Sequence, residues 1–327
     1  MKKLLALILA VVTLFAVASC GKEEAKTLKM GVVNGAPALA VANLTGGFDY
    51  VDDEKNTVKT SVEVQKDAPG VIAGLTAGTY DMAILPLNVA SKLYNAGKLG
   101  VKLVSVNIFS VLYVITKGEY KSLDDLKGKV VYSIGEGGTP DVVFKNILSA
   151  NGIKYEKDDA SGKRDSETVY FNAVADAKLV IGALKKGEAD FAVLGEPVVS
   201  QAMANAEAHI AFGIEDEWKK VHPDVGFVQA GLIVKSSVLD AYGGYIDALL
   251  EKMSENENYL KTNTEKAVGD LNGIGASLPS LSEDTLKRCL IGADKASIRK
   301  ADVEAFLSAL SPEDYGGKLP ASDFYAR

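Results

Sequence analysis

Groups able to do covalent or metal chemistry are sparse in this 327-residue chain, which has two histidines and two cysteines. His209 lies in an Ala-rich, helix-like stretch and His222 precedes Pro223 in a loop. Neither has Cys, His or paired carboxylates at ligand spacing, so no metal site is expected. Asp124-Asp125, Asp158-Asp159 and Glu215-Asp216-Glu217 fall in polar segments and read as solvated faces or helix caps. No Gly-x-x-x-x-Gly-Lys-Ser/Thr loop is present, and Gly135-Glu136-Gly137-Gly138 lacks the spacing of dinucleotide sites. No catalytic residue and no cofactor is therefore assigned. What remains is binding chemistry in four loops: Asn34–Pro37, Pro86–Asn88, Gly135–Pro140 and Gly195–Pro197. Each pairs glycine or proline, which lets the backbone turn tightly and approach a ligand, with a polar group. The candidate contacts in them are Asn34, Gly35, Ala36, Pro86, Asn88, Gly137, Gly138, Thr139 and Glu196. Asn107, Ser110 and Gln229 add polar candidates from outside the loops. Phe109 and Tyr113 read either as stacking walls or as packing between segments, and Trp218 reads more readily as a packing anchor.

These loops need a scaffold. Short β-type runs at 28–33, 57–64, 81–85, 102–106, 129–134, 168–171 and 190–194 alternate with amphipathic stretches at 37–44, 68–77, 88–95, 140–151 and 175–186. That alternation predicts an α/β fold with mainly parallel strands. Laying residues 71–86 (VIAGLTAGTYDMAILP) over 180–195 (VIGALKKGEADFAVLG) gives seven identities in sixteen positions at a constant offset of 109. A second pair, Asn34-Gly35-Ala36-Pro37 against Gly137-Gly138-Thr139-Pro140, agrees at an offset of 103. The chain thus reads as a duplicated α/β unit. In such units, ligands bind outside the carboxyl ends of the strands, where helix starts offer free N–H donors. If the halves face one another, the four loops line one shared cleft.

The amino terminus carries a different signal. Lys2 and Lys3 precede an apolar run from Leu4 to Val17, too short to read as a permanent span and laid out as a secretory leader. Its end, Val17-Ala18-Ser19-Cys20-Gly21, resembles the bacterial lipoprotein box, in which cleavage precedes a cysteine that takes diacylglycerol. Residues 21–27 are small and charged, as a tether would be. The 43 acidic and 36 basic residues give a formal charge of −7, and removing Lys2 and Lys3 with the leader makes it more negative. Nucleic acid is thereby disfavoured as a partner, because binding it relies on clustered cations. Cys289 is left without a partner for an internal disulfide and reads as a small buried hydrophobe.

The stretches 34–40, 78–88 (GTYDMAILPLN), 123–128 (LDDLKG) and 187–197 (GEADFAVLGEP), with the closing Gly316-Gly317-Lys318-Leu319-Pro320 and Phe324-Tyr325, resemble one known family. It is the type II periplasmic-binding-protein fold, in the branch serving ABC importers of nitrate, sulfonates, taurine and thiamine-pyrimidine precursors. The resemblance implies a two-lobed α/β protein with two hinge crossovers, near Asn107–Tyr113 and Phe227–Gly231. Residues 1–19 would be the signal peptide and 20–27 the lipidated tether. Lobe I would comprise 28–109 and a returning helical part, 232–327, with lobe II and the crossovers at 110–231. Tyr242, Tyr245, Leu249, Leu250 and Met253 are spaced for one buried helical face. The implied function is an extracytoplasmic, lipid-anchored receptor, partnered by an ABC permease and its ATPase subunit. Enzymes of the menaquinone or thiamine pathways share the fold, and a ligand-sensing lipoprotein is the further alternative. None of the four loops carries Lys or Arg, whereas they include Glu136 and Glu196. This predicts a neutral or weakly basic solute, such as a pyrimidine vitamin precursor, with Glu196 accepting its N–H bonds. Sulfonate or nitrate is the other option within the branch.

The leader generates the first prediction. The mature protein should begin at Cys20 and partition with membranes, and Cys20→Ala should abolish lipid labelling and impair processing. Unlipidated wild-type protein in the soluble cytosol would contradict it.

Overall fold

The computed structural model describes residues 25–159 and 161–327, so the leader and Cys20 lie outside the described residues. Two sheets organise the chain. The first has strand order β13-β5-β12-β4-β1-β3-β2, built from β1 (Lys26–Val33), β2 (Asp49–Val51), β3 (Thr57–Gln65), β4 (Met82–Pro86), β5 (Val101–Ile108), β12 (Ala230–Lys235) and β13 (Ile291–Lys295). The second runs β11-β6-β10-β7-β9-β8, from β6 (Leu112–Thr116), β7 (Val130–Ile134), β8 (Lys154–Lys157), β9 (Thr168–Val174), β10 (Phe191–Gly195) and β11 (His209–Gly213). Each sheet forms one lobe. The chain passes between them at 109–111, between β5 and β6, and again before Ala230, where β12 returns to the first sheet.

The duplication holds down to single hydrogen bonds. In lobe I, β4 and β3 flank β1 in parallel and β12 lies antiparallel to β4; in lobe II, β10 and β9 flank β7 and β6 lies antiparallel to β10. Asp81, before β4, accepts from Lys29 N at 2.9 Å and its own N–H donates to Lys29 O; Asp190 repeats both bonds with Val130. The helices α2 (Ala68–Ala77) and α5 (Ala177–Lys186) start on Asp67 and Asp176, whose side chains cap them, and end on Gly78 and Gly187 in the left-handed region. These four positions keep the offset of 109, because each solves the same local problem of starting or stopping a helix beside a buried strand.

One packing difference separates the halves. In lobe I the fully buried Tyr80 ring lies against Gly31 of β1 and Gly74 of α2, so closely that a Cβ on either glycine would overlap it. In lobe II the equivalents of Gly74 and Tyr80 are Ala183 and Ala189. Strand register pairs Gly31 with Ala83 and Tyr132 with Ala192, so the lobe II counterpart of Gly31 is Tyr132: the aromatic stands on the central strand there and after the helix in lobe I.

The return stretch departs from the all-helical expectation for 232–327. Helices α8 (Ser236–Ala241), α9 (Gly243–Ser254), α10 (Asn256–Thr262), α11 (Thr264–Gly273) and α12 (Glu283–Lys287) back lobe I, but β13 interrupts them and pairs with β5 before α13 (Ala296–Ala309). Ile291–Lys295 is too short and too polar to read as a strand by pattern. Tyr245, Leu249, Leu250 and Met253 form the buried face of α9, with Tyr242 half-buried just ahead of it. His209 is not helical; it starts β11, exposed. Trp218 of α7 (Ile214–Val221) is fully buried among His222, Phe227 and Phe306, so an aromatic cluster ties lobe II to α13 behind the cleft.

Gly→Ala inside a helix ordinarily stabilises by about 1 kcal/mol. Gly74→Ala is expected to destabilise instead, by about 1–3 kcal/mol, because the added methyl meets the Tyr80 ring. The urea unfolding midpoint should fall with an unchanged slope; a raised midpoint would contradict the packing described.

Candidate functional site

The carboxyl ends of β4, β7 and β10 and the starts of the helices after them meet along one seam between the lobes. These helices are α3 (Leu87–Ala96), α4 (Thr139–Ala150) and α6 (Val198–Ala206). Asn88, fully buried in the first turn of α3, donates from Nδ2 to Gly137 O at 2.9 Å and to Asp314 O at 3.2 Å, and its Oδ1 accepts from Thr139 Oγ1 at 3.3 Å. Thr139 Oγ1 also reaches Gln229 O at 3.2 Å, and Gln229 Nε2 donates to Phe109 O at 2.6 Å. Asn88, Gly137, Thr139 and Gln229 are thus brought together, with Gly138 the residue before α4, and they join both lobes to the second crossover. Asp141 steadies the loop by accepting from Gly137 N at 2.8 Å. At another point of the seam Lys66 and Asp176, each beside the start of a repeated helix, approach to 3.5 Å; both are solvent-accessible, so the pair contributes little.

Glu196 is not the open acceptor that its loop suggested. Its carboxylate is fully buried, accepts from Arg288 Nε at 2.6 Å and Ser200 Oγ at 3.0 Å on Oε1, and caps α6 by accepting from Ser200 N at 3.0 Å on Oε2. Arg288 Nη2 donates to Ser200 Oγ at 2.9 Å, and Ser200 Oγ lies 2.8 Å from Thr285 Oγ1. Arg288 and Thr285 come from the segment leading to β13, so this network also bridges the lobes. Removing Arg288 would leave the buried carboxylate uncompensated, whereas the guanidinium, partly open to the groove, could still be solvated without Glu196. Beside the pair, burial and then the Glu196 charge push the Tyr113 hydroxyl up to about 12, so it stays a protonated donor at neutral pH. Burial and the same carboxylate push the Cys289 thiol up to about 12 as well, which leaves it without thiolate for nucleophilic chemistry.

An open groove of about 540 Å³ lies against this network. One wall is α6, with Ser200, Gln201, Met203 and Asn205; the other is the segment of Pro279, Ser280, Ser282, Thr285 and Arg288. The volume suits a small organic molecule. Among the described residues, no cluster of three or more His, Cys, Asp or Glu could hold a metal ion.

Several sequence candidates lie elsewhere. Asn107 is wholly buried in the sheet, where Oδ1 accepts from Ser105 Oγ and Leu232 N and Nδ2 donates to Gly292 O, so it fastens β5 and does not face the seam. Phe109 packs on the lobe I edge, its ring centre 5.3 Å from the Arg299 guanidinium, which is the packing alternative. Ser110 is buried, its carbonyl accepting from Leu290 N while Phe109 N donates to Leu290 O. Gly35 and Ala36 are buried at the start of α1 (Ala36–Leu39), and Asn34 accepts from Ser277 N at 3.1 Å. Pro86 ends β4, opposite Ala230.

Arg288, Ser200 and Thr285 escaped the sequence reading. Ser200 is four residues after Glu196 at a helix start, a legible capping distance. Arg288 has no local signal: it enters the groove because Leu290 pairs with the first crossover.

No protein-family model matches the chain, and no curated protein matches it. Solved structures do. An ABC transporter from Parabacteroides distasonis superposes with a TM-score of 0.70 at 23% identity, over 92% of this chain and 99% of that one. The alkanesulfonate-binding protein of Xanthomonas axonopodis pv. citri, solved with MOPS, gives 0.62 at 14% identity over 92% and 97%. The periplasmic nitrate-binding protein of Synechocystis PCC 6803 gives 0.59 at 14% over 92% and 84%. The chain has the fold of periplasmic solute-binding proteins. At these identities the likeness establishes that fold and leaves function to the site. Within it, Asn88 stands where lobe I, lobe II and the chain's final segment converge.

Asn88→Ala removes three hydrogen bonds at that junction, each worth about 1 kcal/mol net. The unliganded protein should open, and small-angle scattering should give a larger radius of gyration with circular dichroism unchanged. An unchanged radius with intact secondary structure would show that these bonds do not hold the lobes together.

Proposed function

We propose that this protein is the solute receptor of an ABC-type importer, held outside the cytoplasmic membrane by lipid on Cys20. It closes its two lobes on a small organic solute and presents it to a permease driven by a separate ATPase subunit. The observation that carries this reading is the seam itself. Two duplicated α/β lobes meet along the carboxyl ends of their strands; Asn88 spends its polar groups across that seam, and Glu196, Arg288 and Ser200 spend theirs across it beside a groove of ligand size.

Closure follows from the architecture. Two crossovers join the sheets, and the groups bonded across the seam would each be exposed to water if the lobes separated. A solute touching both walls of the groove favours the closed form by its differential affinity, and about 5.5 kcal/mol takes a 1:99 mixture to 99:1. The buried, protonated Cys289 and the Glu196 carboxylate, paired with Arg288 and buried behind the groove, leave the groove equipped to hold a molecule and not to transform one. Gln201, Asn205 and Ser282 supply uncharged hydrogen-bonding groups, and Met203 and Pro279 supply apolar contact, a composition suited to a compact heteroaromatic or similarly polar organic solute.

Native mass spectrometry of protein purified from its own host should show one small organic molecule bound per chain, and adding that molecule to stripped Asn88→Ala protein should restore the closed radius of gyration that the substitution loses. A stripped protein that neither binds a molecule from host extract nor alters its scattering would contradict the receptor reading.

A further inference from the structure

We propose that Glu196 is a selectivity device: a built-in counter-anion that occupies Arg288 and keeps anionic solutes out of the groove. The inference rests on the receptor reading and assigns its solute class. Arg288 is the single charged residue among those lining the groove. An uncompensated guanidinium there would be a ready fork for nitrate, sulfate or a sulfonate. It is compensated, however, by a carboxylate that is itself fully buried and held by Arg288 Nε, Ser200 Oγ and Ser200 N. The Glu196 side chain cannot turn into water without giving up all three bonds and the start of α6. The wall therefore carries no net charge, and the remaining groove groups, Gln201, Asn205, Ser280 and Ser282, are neutral.

An entering oxyanion would meet the buried carboxylate as well as the guanidinium, and would have to be desolvated against both. An uncharged acceptor meets only the remaining guanidinium N–H groups, which Glu196 and Ser200 leave free. The solute class assigned is accordingly an uncharged organic molecule bearing carbonyl or ring-nitrogen acceptors. This replaces a direct contact between Glu196 and a solute amine, since Glu196 is buried behind Arg288 and Ser200 and is not among the residues lining the groove.

The test uses the purified full chain with sodium methanesulfonate, nitrate and sulfate as probes, against chloride at equal ionic strength. Wild type should show no saturable heat and no anion-dependent rise in thermal midpoint. Glu196→Gln keeps the shape and one acceptor oxygen for Ser200, gives up the other bond, and frees the guanidinium charge. It should gain anion affinity by about tenfold or more and be stabilised by the anion. Adding Arg288→Gln to it should abolish the gain. Glu196→Met, which keeps volume without charge, provides the same readout should the glutamine variant fail to fold. Wild type binding the anions as tightly as the variants would overturn the proposal, as would a folded variant that gains no anion affinity. A gain dependent on Arg288 stands whatever protein receives the solute, whereas absence of a co-purified solute bears on the receptor reading alone.

Discussion

A polar group buried between two apolar bodies must be hydrogen-bonded there or be returned to water, since leaving it bare costs about 1–3 kcal/mol. Here that constraint falls on one seam. Asn88, Thr139, Gln229 and Glu196 are buried within it, and each finds partners from the other lobe, a crossover or the chain's closing segment. The lobes have separate sheets and can part only if water or a solute takes over those bonds. On the receptor reading proposed above, such a cleft has two forms, open and wet or closed and paired, and a ligand selects between them by replacing water.

The rest of the fold serves to place that seam. Asp81 and Asp190 lock the starts of β4 and β10 to their central strands by the same pair of bonds, which fixes the register of both strands and so the height at which Pro86 and Gly195 end. The helices that follow start at the seam, α3 against the loop before α4 and α6 against the segment of Thr285 and Arg288. Behind the cleft, Trp218 packs between His222, Phe227 and Phe306, and Asn146 of α4 donates to Ala309 O while accepting from His222 Nε2, so the lobes are joined along a packed edge. Burial lowers the His222 pKa below its ordinary value, so this imidazole stays neutral and is not a charge switch at neutral pH. Acidification through the ordinary histidine range removes its contribution to stability, because the unfolded chain then binds the proton more readily.

Much of this was legible in the sequence because it is local. Helix caps and stops, alternating periodicity and the repeat all express short-range physics, and the offset of 109 pairs residues that make identical bonds. Tyr80 against Gly31 and Gly74 shows where local reading stops: the repeat hides a volume exchange visible only once β1 and α2 are packed. The site was half legible for the same reason. Asn88, Gly137 and Thr139 announce themselves as turn and cap chemistry, but Arg288 reaches Glu196 from 92 residues away through β13, whose pairing with β5 no local pattern reports. Asn107 erred in the opposite direction, since an asparagine at a strand end looks like a cleft donor until its three bonds within the sheet are seen. Counting charges in loops therefore misjudged the electrostatics, because the neutralising partner came from another part of the chain.

The central claim is that one seam carries both lobe closure and solute binding. Spin labels at the exposed positions Pro69 and Lys178, on opposite lobes at the starts of the repeated helices, report the distance across it directly. The account predicts two separations in solute-free protein, with the shorter one alone at saturation by the solute recovered from the host. A single separation that ignores bound solute, in wild type and in Asn88→Ala alike, would contradict it.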